Sequence, residues 1–297
     1  AVSRRIGEHN KTAADNTAVH TLILGAGLSL AITLPLLPFL TPIFNSFSGN
    51  SAVAEMSADY ALIIFSGSII IVFNHIAGAL LRGEGDARRA MNGLVIGSLL
   101  NIALDPVFIY WFNMGVRGAA WATLLSLFIS SLYFCHALFL NGNTYLTITF
   151  KWFRYNKTIL REILGVGIPS SLAQLSMSIA MIMLNKVVIA AGGTDGVAIF
   201  TTGWRIVMLG VIPLLGIATG VVAVTGAAYG AANREKLRTA YIYAVKMGVL
   251  IELGIGVLVL LFAPKIAWIF AYSKDSSHLL PDLITFLRMM CIIYPTV

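Results

Sequence analysis

Eight stretches of this chain are apolar for about the length that a lipid bilayer demands. They run at roughly 16–45, 55–81, 88–112, 116–140, 164–191, 197–229, 236–263 and from 280 onward, and short polar loops separate them. The hydrocarbon layer of a bilayer is about 30 Å thick and takes about 20 residues of helix to cross. Inside it every backbone N–H and C=O must be satisfied within the fold, which leaves only helices or closed barrels. Apolar runs this long predict helices. The chain is 58% hydrophobic and 11% charged, with a mean hydropathy of +0.86. A soluble domain carries about 25% charged residues. The expected fold class is therefore all-α and integral to a membrane.

The polar loops set the expected orientation. The first loop holds Arg4, Arg5 and Lys11, and the loop at 82–89 holds Arg82, Arg88 and Arg89. The connector 141–163 holds Lys151, Arg154, Lys157 and Arg161, and the loop at 230–238 holds Arg234, Lys236 and Arg238. The alternate loops hold only Arg117, Lys265 and Lys274. Strict alternation of thirteen basic residues against three places the first set in the cytoplasm. The net charge of +7 and pI near 9.5 then reflect topology and contact with anionic membrane lipid. Nucleic acid is not an expected partner. Cys135 and Cys291 both lie in apolar runs and form no disulfide framework or metal motif.

The chain also repeats itself. "IGEHNK" at 6–11 matches "YGAANR" at 229–234, pairing Gly7 with Gly230, Asn10 with Asn233 and Lys11 with Arg234 at an offset of 223. Gly25 and Gly248, and Asp59 and Asp282, share that offset. Both copies start in basic loops, so the repeat is parallel, about an axis along the membrane normal. The expected architecture is two six-helix lobes related by a pseudo-two-fold, truncated at both ends. Residues 1–140 belong to the first lobe, 141–163 form a cytoplasmic connector with an amphipathic "FKWFRYNKTILREI", and 164–297 belong to the second. Pairs of glycines, Gly25 and Gly27, Gly93 and Gly97, Gly216 and Gly220, mark expected close helix contacts.

The most informative residue is an acid. "IGSLLNIALDPVFIYWF" places Asp105 and Pro106 inside an apolar run. A carboxylate at that depth costs a few kcal/mol and usually faces a cavity or a partner. Asn101 precedes it by four residues, on the same helix face. Pro106 removes one backbone donor and disfavours helical geometry at Asp105, so nearby carbonyls are expected to be freed. Tyr60 and Thr123, near the outer ends of their helices, reach the same depth. Together they suit a proton or a small hard cation. The plainer alternative is that Asp105 N-caps a helix restarting at Pro106.

These residues resemble a known family. "LRGEGDARRAMNGLVIGSLLNIALDPVFIYWFNMGVRGAAWATLLS" is similar to the fourth-to-sixth spans of MATE (multidrug and toxic compound extrusion) exporters. "AVSRRIGEHNK" and "GVVAVTGAAYGAANREK" resemble the glycine loops after the family's second and eighth spans, and "LGVGIPSSLAQLSMS" its seventh. The resemblance covers essentially the whole chain as spans three to ten. It implies a secondary antiporter that exports organic cations against an inward flow of H+ or Na+, with no cofactor. It implies that Asp105 binds the coupling ion, with Tyr60, Asn101 and Thr123 as hydrogen-bonding neighbours. It implies small organic cations and membrane lipid as partners, a monomer, and a prokaryotic cell membrane. One branch of the family carries acids on the seventh span, where this chain has Gln174, which favours the branch working through the N-terminal lobe.

Glu252, mid-helix, is a secondary candidate with Gln174. Lys186 and Arg205 are expected to snorkel. Asn74 and His75 are expected to serve helix contacts. A flippase of lipid-linked sugars would need several deep cationic residues, and an intramembrane aspartyl protease would need two facing carboxylates. Neither pattern is present, and no ATP-binding motif is present, so the chain reads as an ion-driven transporter and not an enzyme.

Overall fold

The computed structural model describes residues 1–47, 51–140, 142, 144–149, 153–270 and 278–291. Lys151, Lys274 and the end of the last apolar run lie outside the described residues. Among the described residues the secondary structure is entirely helical. The helices are α1 (Val2–Gly7), α2 (Lys11–Leu36), α3 (Leu40–Phe47), α4 (Ser51–Ser66), α5 (Ser68–Glu84), α6 (Ala87–Pro106), α7 (Gly115–Cys135), α8 (Lys157–Gly230), α9 (Arg234–Phe270) and α10 (Leu280–Met290). Five of the helical segments are long and apolar enough to cross a membrane, and the bent pair α4 and α5 makes a sixth.

The chain forms two compact units, one of Ala1–Ile163 with Gly226–Asn233, the other of Leu164–Thr225 with Arg234–Val297. Residues 226–233, assigned to the second lobe from sequence, thus pack with the first unit. There they cross α1 through small residues. A Cβ on Gly7 would run into the Ala227 carbonyl oxygen, and one on Gly230 would run into that of Arg4. Gly226 stands against Ser3, at 3.0 Å from a built Cβ to Ser3 Cβ. At the offset of 223, Ser3 corresponds to Gly226, Arg4 to Ala227 and Gly7 to Gly230. The contact therefore maps onto itself under the sequence repeat. Only small residues four apart on both strands of the crossing allow backbones this close.

In the first unit, prolines and one glycine divide the long apolar runs. Pro35, Pro38 and Pro42 end α2 at Leu36, insert a 3-10 turn at Leu37–Phe39 and restart the chain as α3. The run expected as one helix at 55–81 is α4 and α5, bent by 54° at Gly67. Leu124 of α7 occupies the space there and leaves no room for a Cβ. The core joins Ala18 and Leu22 of α2, Ala77 and Leu81 of α5, and Phe134 of α7.

The connector is pinned to this unit. Asp15 Oδ1 accepts from the Thr147 amide at 2.8 Å, and Glu84 Oε2 accepts from that of Leu146 at 3.1 Å. The Asn16 amide donates to the Arg154 carbonyl at 2.9 Å, and His20 Nε2 accepts from the Asn156 N–H at 3.0 Å. Residues 153–156 are outside any helix, with Asn156 extended, and helix begins at Lys157, where Asn156 caps α8. Within the described part of the amphipathic stretch expected over 150–163, residues 153–156 are not helical and residues 157–163 are. Outside the membrane spans, Arg4 and Arg5 both bond Glu8. Burial works to raise the Glu8 carboxyl, but the two guanidiniums outweigh it and hold it below the ordinary range.

In the second unit, α8 has 74 residues, which would span about 110 Å if straight. It is not straight. Gly193 takes φ 57° and ψ −146°, outside helical geometry, and a Cβ on Gly196 would come within 3.3 Å of the Val188 carbonyl. The helix kinks there, between the two legs expected at 164–191 and 197–229. The second leg packs with α9 and α10 through Ile206, Val207, Val259, Ala263, Leu283 and Leu287. The glycine expectations divide. Gly25, Gly93 and Gly97 meet neighbours, whereas Gly27, Gly216 and Gly220 face open space.

Candidate functional site

The site begins with how α6 and α7 are held together. Ala90, Gly93 and Gly97 form the buried face of α6. A Cβ on Gly93 would run into the Phe134 ring, so the glycine lets α7 approach. Ser130 Oγ donates to the Gly93 carbonyl at 2.7 Å, and buried Asn74 of α5 donates to Ser130 Oγ at 2.9 Å. Asn74 is thus a helix-contact group, as the sequence suggested, and His75 is exposed. At the other end, Gly118 approaches the Phe108 carbonyl, 2.6 Å from a built Cβ. Two helices pinned at both ends leave little freedom in the register between them.

That register brings three of the four predicted residues together. Asn101 Nδ2 donates to Asp105 Oδ1 at 3.2 Å and reaches Thr123 Oγ1 at 3.4 Å. Thr123 in turn donates its hydroxyl proton to the Ala119 carbonyl at 2.9 Å. One amide therefore bridges a carboxylate on α6 to a hydroxyl on α7. All three side chains are half-buried. The oxygen donors gathered here are one carboxylate and neutral amide and hydroxyl oxygens. That set matches the charge of a monovalent ion and the hardness of H+ or Na+.

Tyr60 is not part of this network. It lies on α4 with 36% of its surface exposed, and among the described residues it has no hydrogen bond to Asn101, Asp105 or Thr123. Its neighbour Asp59 is the tether instead, accepting from Arg117 Nε at 2.8 Å. That pair ties α4 to the start of α7. The signal was available, since Asp59 and Arg117 flank facing helix ends with opposite charge.

Two expectations about Asp105 need correction. It does not cap a helix, because it lies within α6, and no side chain caps the turn that follows. Nor does Pro106 unwind the backbone at Asp105. The helix continues through Pro106 and widens into a π turn over Val107–Trp111, closed by the Phe112 N–H on the Val107 carbonyl at 2.9 Å. Pro106 still cannot donate to the carbonyl of Ile102, four residues back. The wider turn absorbs the ring without breaking the helix.

The two secondary candidates differ from each other. Gln174 is exposed on the first leg of α8. Glu252 is 2% exposed on α9, and both of its carboxyl oxygens are buried with no hydrogen-bond partner among the described residues. Lys186, Arg205 and Arg288 are exposed, and Cys135 and Cys291 are both free thiols. The anchors of the connector, Asp15, Asn16, His20 and Glu84, were not foreseen. Their partners are backbone groups, which leave no trace in side-chain patterns.

A family model described as MatE matches residues 1–107 and 169–297. The chain is 27% identical over 278 residues to the probable multidrug resistance protein NorM of Thermotoga maritima, covering 91% of this chain and 58% of that protein. It is 26% identical over 221 residues to the multidrug export protein MepA of Staphylococcus aureus, covering 74% and 49%. Among solved structures, it is similar to a MATE protein in complex with MaL6, at 49% identity and a TM-score of 0.96, covering 99% of this chain and 66% of that one. It is similar at 49% identity and a TM-score of 0.95 to a MOP superfamily transporter from Pyrococcus furiosus, covering 99% and 65%. For that relative, reverse polarity of the binding pocket suggests a different function. The chain thus spans about half to two thirds of the length of these relatives.

Proposed function

The chain belongs to the MatE family, a family of membrane transporters, and from that premise we propose that the whole protein is a secondary antiporter of a prokaryotic cell membrane. It exports small organic cations in exchange for H+ or Na+, and Asp105 carries the coupling ion. The observation that supports this is the bridge from Asn101 to both Asp105 and Thr123. Ionised Asp105 accepts the Asn101 amide proton. A proton or Na+ on the carboxylate competes with that bond and leaves the amide to Thr123 alone. Ion binding is thereby coupled to the side-chain bridge between α6 and α7, and an ion shifts two access states only by the difference in its affinity for each. The loops rich in Arg and Lys face the cytoplasm in this reading.

The test is efflux of a fluorescent cation from vesicles holding the full-length protein under an imposed H+ or Na+ gradient. Asp105→Asn is expected to abolish gradient-driven efflux while insertion is unchanged. Wild-type efflux in that variant sinks the assignment. A second reading is favoured by the reverse pocket polarity of the Pyrococcus furiosus relative. In it the cargo is anionic, as for a flippase of lipid-linked sugars. Transport of an anionic lipid-linked probe, with no transport of the cationic dye, decides for that reading.

A further inference from the structure

We propose that Glu252 is a proton-binding site of the second unit, sealed between the second leg of α8 and α9 and closed to metal cations. The inference does not depend on the role given to Asp105. Glu252 belongs to the buried face of α9, with Gly248, Gly256, Val259, Ala263 and Ala267. A Cβ on Gly248 would lie 2.9 Å from Leu214 Cδ1 of the second leg of α8. Ala263 packs in one cluster with Ile199 and Ile206. Residues rising along α9 thus meet residues falling along α8, so the two run antiparallel. Glu252, one turn beyond Gly248, stands level with Gly210, one turn before Leu214.

The surroundings decide what this carboxyl can bind. Its side chain is 2% exposed and neither oxygen has a hydrogen-bond partner among the described residues. The charged groups of the packed helices, Lys186, Arg205, Lys246, Lys265, Asp282 and Arg288, are all exposed, and none pairs with it. A carboxylate stripped of water and of partners is strongly disfavoured. A hard cation would not cure this, because it needs several oxygen ligands of its own. The face around Glu252 offers Gly and Val. A proton removes the charge and needs no second ligand. The proton is then exchanged only when the seam between α8 and α9 admits water.

The experiment is infrared spectroscopy of the purified full-length protein in detergent at neutral pH, in H2O and D2O. A protonated-carboxyl stretch that shifts in D2O is expected in the wild type and in Asp105→Asn, and its loss is expected in Glu252→Gln. An unchanged band in Glu252→Gln overturns the proposal. Replacing choline chloride by sodium chloride is expected to leave the band in place, and its loss with sodium would make the site a cation site instead. If Glu252→Gln fails to accumulate, Glu252→Met serves the same subtraction.

Discussion

Asp105 and Glu252 are both acids set within membrane-length helices, and the two units treat them in opposite ways. Asp105 is half-buried, and an amide one turn away donates to it. Glu252 is buried among small and apolar residues with no donor at all among the described residues. The first environment supplies the carboxyl with a hydrogen-bond donor, which a neighbouring hydroxyl also meets. The second tolerates only the neutral form while it stays closed. A group that must load and unload an ion needs the first kind of environment, because both states must be within reach.

The sharpest way to break this comparison is to neutralise each acid in turn. Asp105→Asn keeps the shape and removes the exchangeable charge. Its efflux rate is expected to fall by more than about tenfold, equivalent to about 1.4 kcal/mol in the barrier. Glu252→Gln replaces a neutral acid by a neutral amide and is expected to cost less than Asp105→Asn in the same vesicle assay. Equal loss in the two variants would erase the distinction drawn here.

Stability should run the other way. Glu252→Met removes a buried group whose oxygens have no partner among the described residues, at nearly constant volume. Burying an unsatisfied polar group costs about 1–3 kcal/mol, and that is the expected gain in the folded state. Asp105→Met strands the Asn101 amide and buries nothing better, so no gain is expected. Thermal unfolding of the two variants in detergent separates them. A fall in the melting temperature of Glu252→Met would mean that the acid has a stabilising partner.

Much of this was legible in the sequence, and what was not has a physical reason. The apolar runs fixed the helices because a bilayer allows little else. The offset of 223 paired the two stretches but did not show the contacts of Gly7 with Ala227 and of Gly230 with Arg4, since a repeat says nothing about contact. Asn101, Asp105 and Thr123 were findable because i,i+4 spacing and depth are readable from the ends of runs. The straps from Asp15, Asn16, His20 and Glu84 to the connector were not, because their partners are backbone atoms far away in sequence. The kink at Gly193 was expected from its polar neighbours, whereas the bend at Gly67, where Leu124 of another helix packs, had no such local signal.

Within the Asp105 site, the geometry ranks its two helpers. Asn101 contacts both the carboxylate and the hydroxyl, while Thr123 is reached only through Asn101 at 3.4 Å and already donates to Ala119. Asn101→Ala is therefore expected to reduce efflux and shift its pH profile more than Thr123→Ala does. Thr123→Ser, which keeps the hydroxyl, should behave like the wild type. A larger effect from Thr123→Ala would show that the hydroxyl meets the ion directly.

The smallest effect is expected at Tyr60, where family resemblance and geometry disagree. The resemblance makes it a hydrogen-bonding neighbour of Asp105. The structure leaves it more than a third exposed, with no bond to the Asn101 network, and gives the tether between α4 and α7 to Asp59 and Arg117. Tyr60→Phe removes only the phenolic oxygen and keeps the ring. A substitution that breaks no contact stays within about 0.5 kcal/mol, or about twofold in rate. Efflux and its pH profile in Tyr60→Phe are thus expected to match the wild type within that margin. A drop comparable to that of Asn101→Ala would mean that α4 swings Tyr60 onto the carboxylate in another state of the transport cycle. In that state Asp105 would gain the second donor it lacks here, and its difference from Glu252 would be greater still.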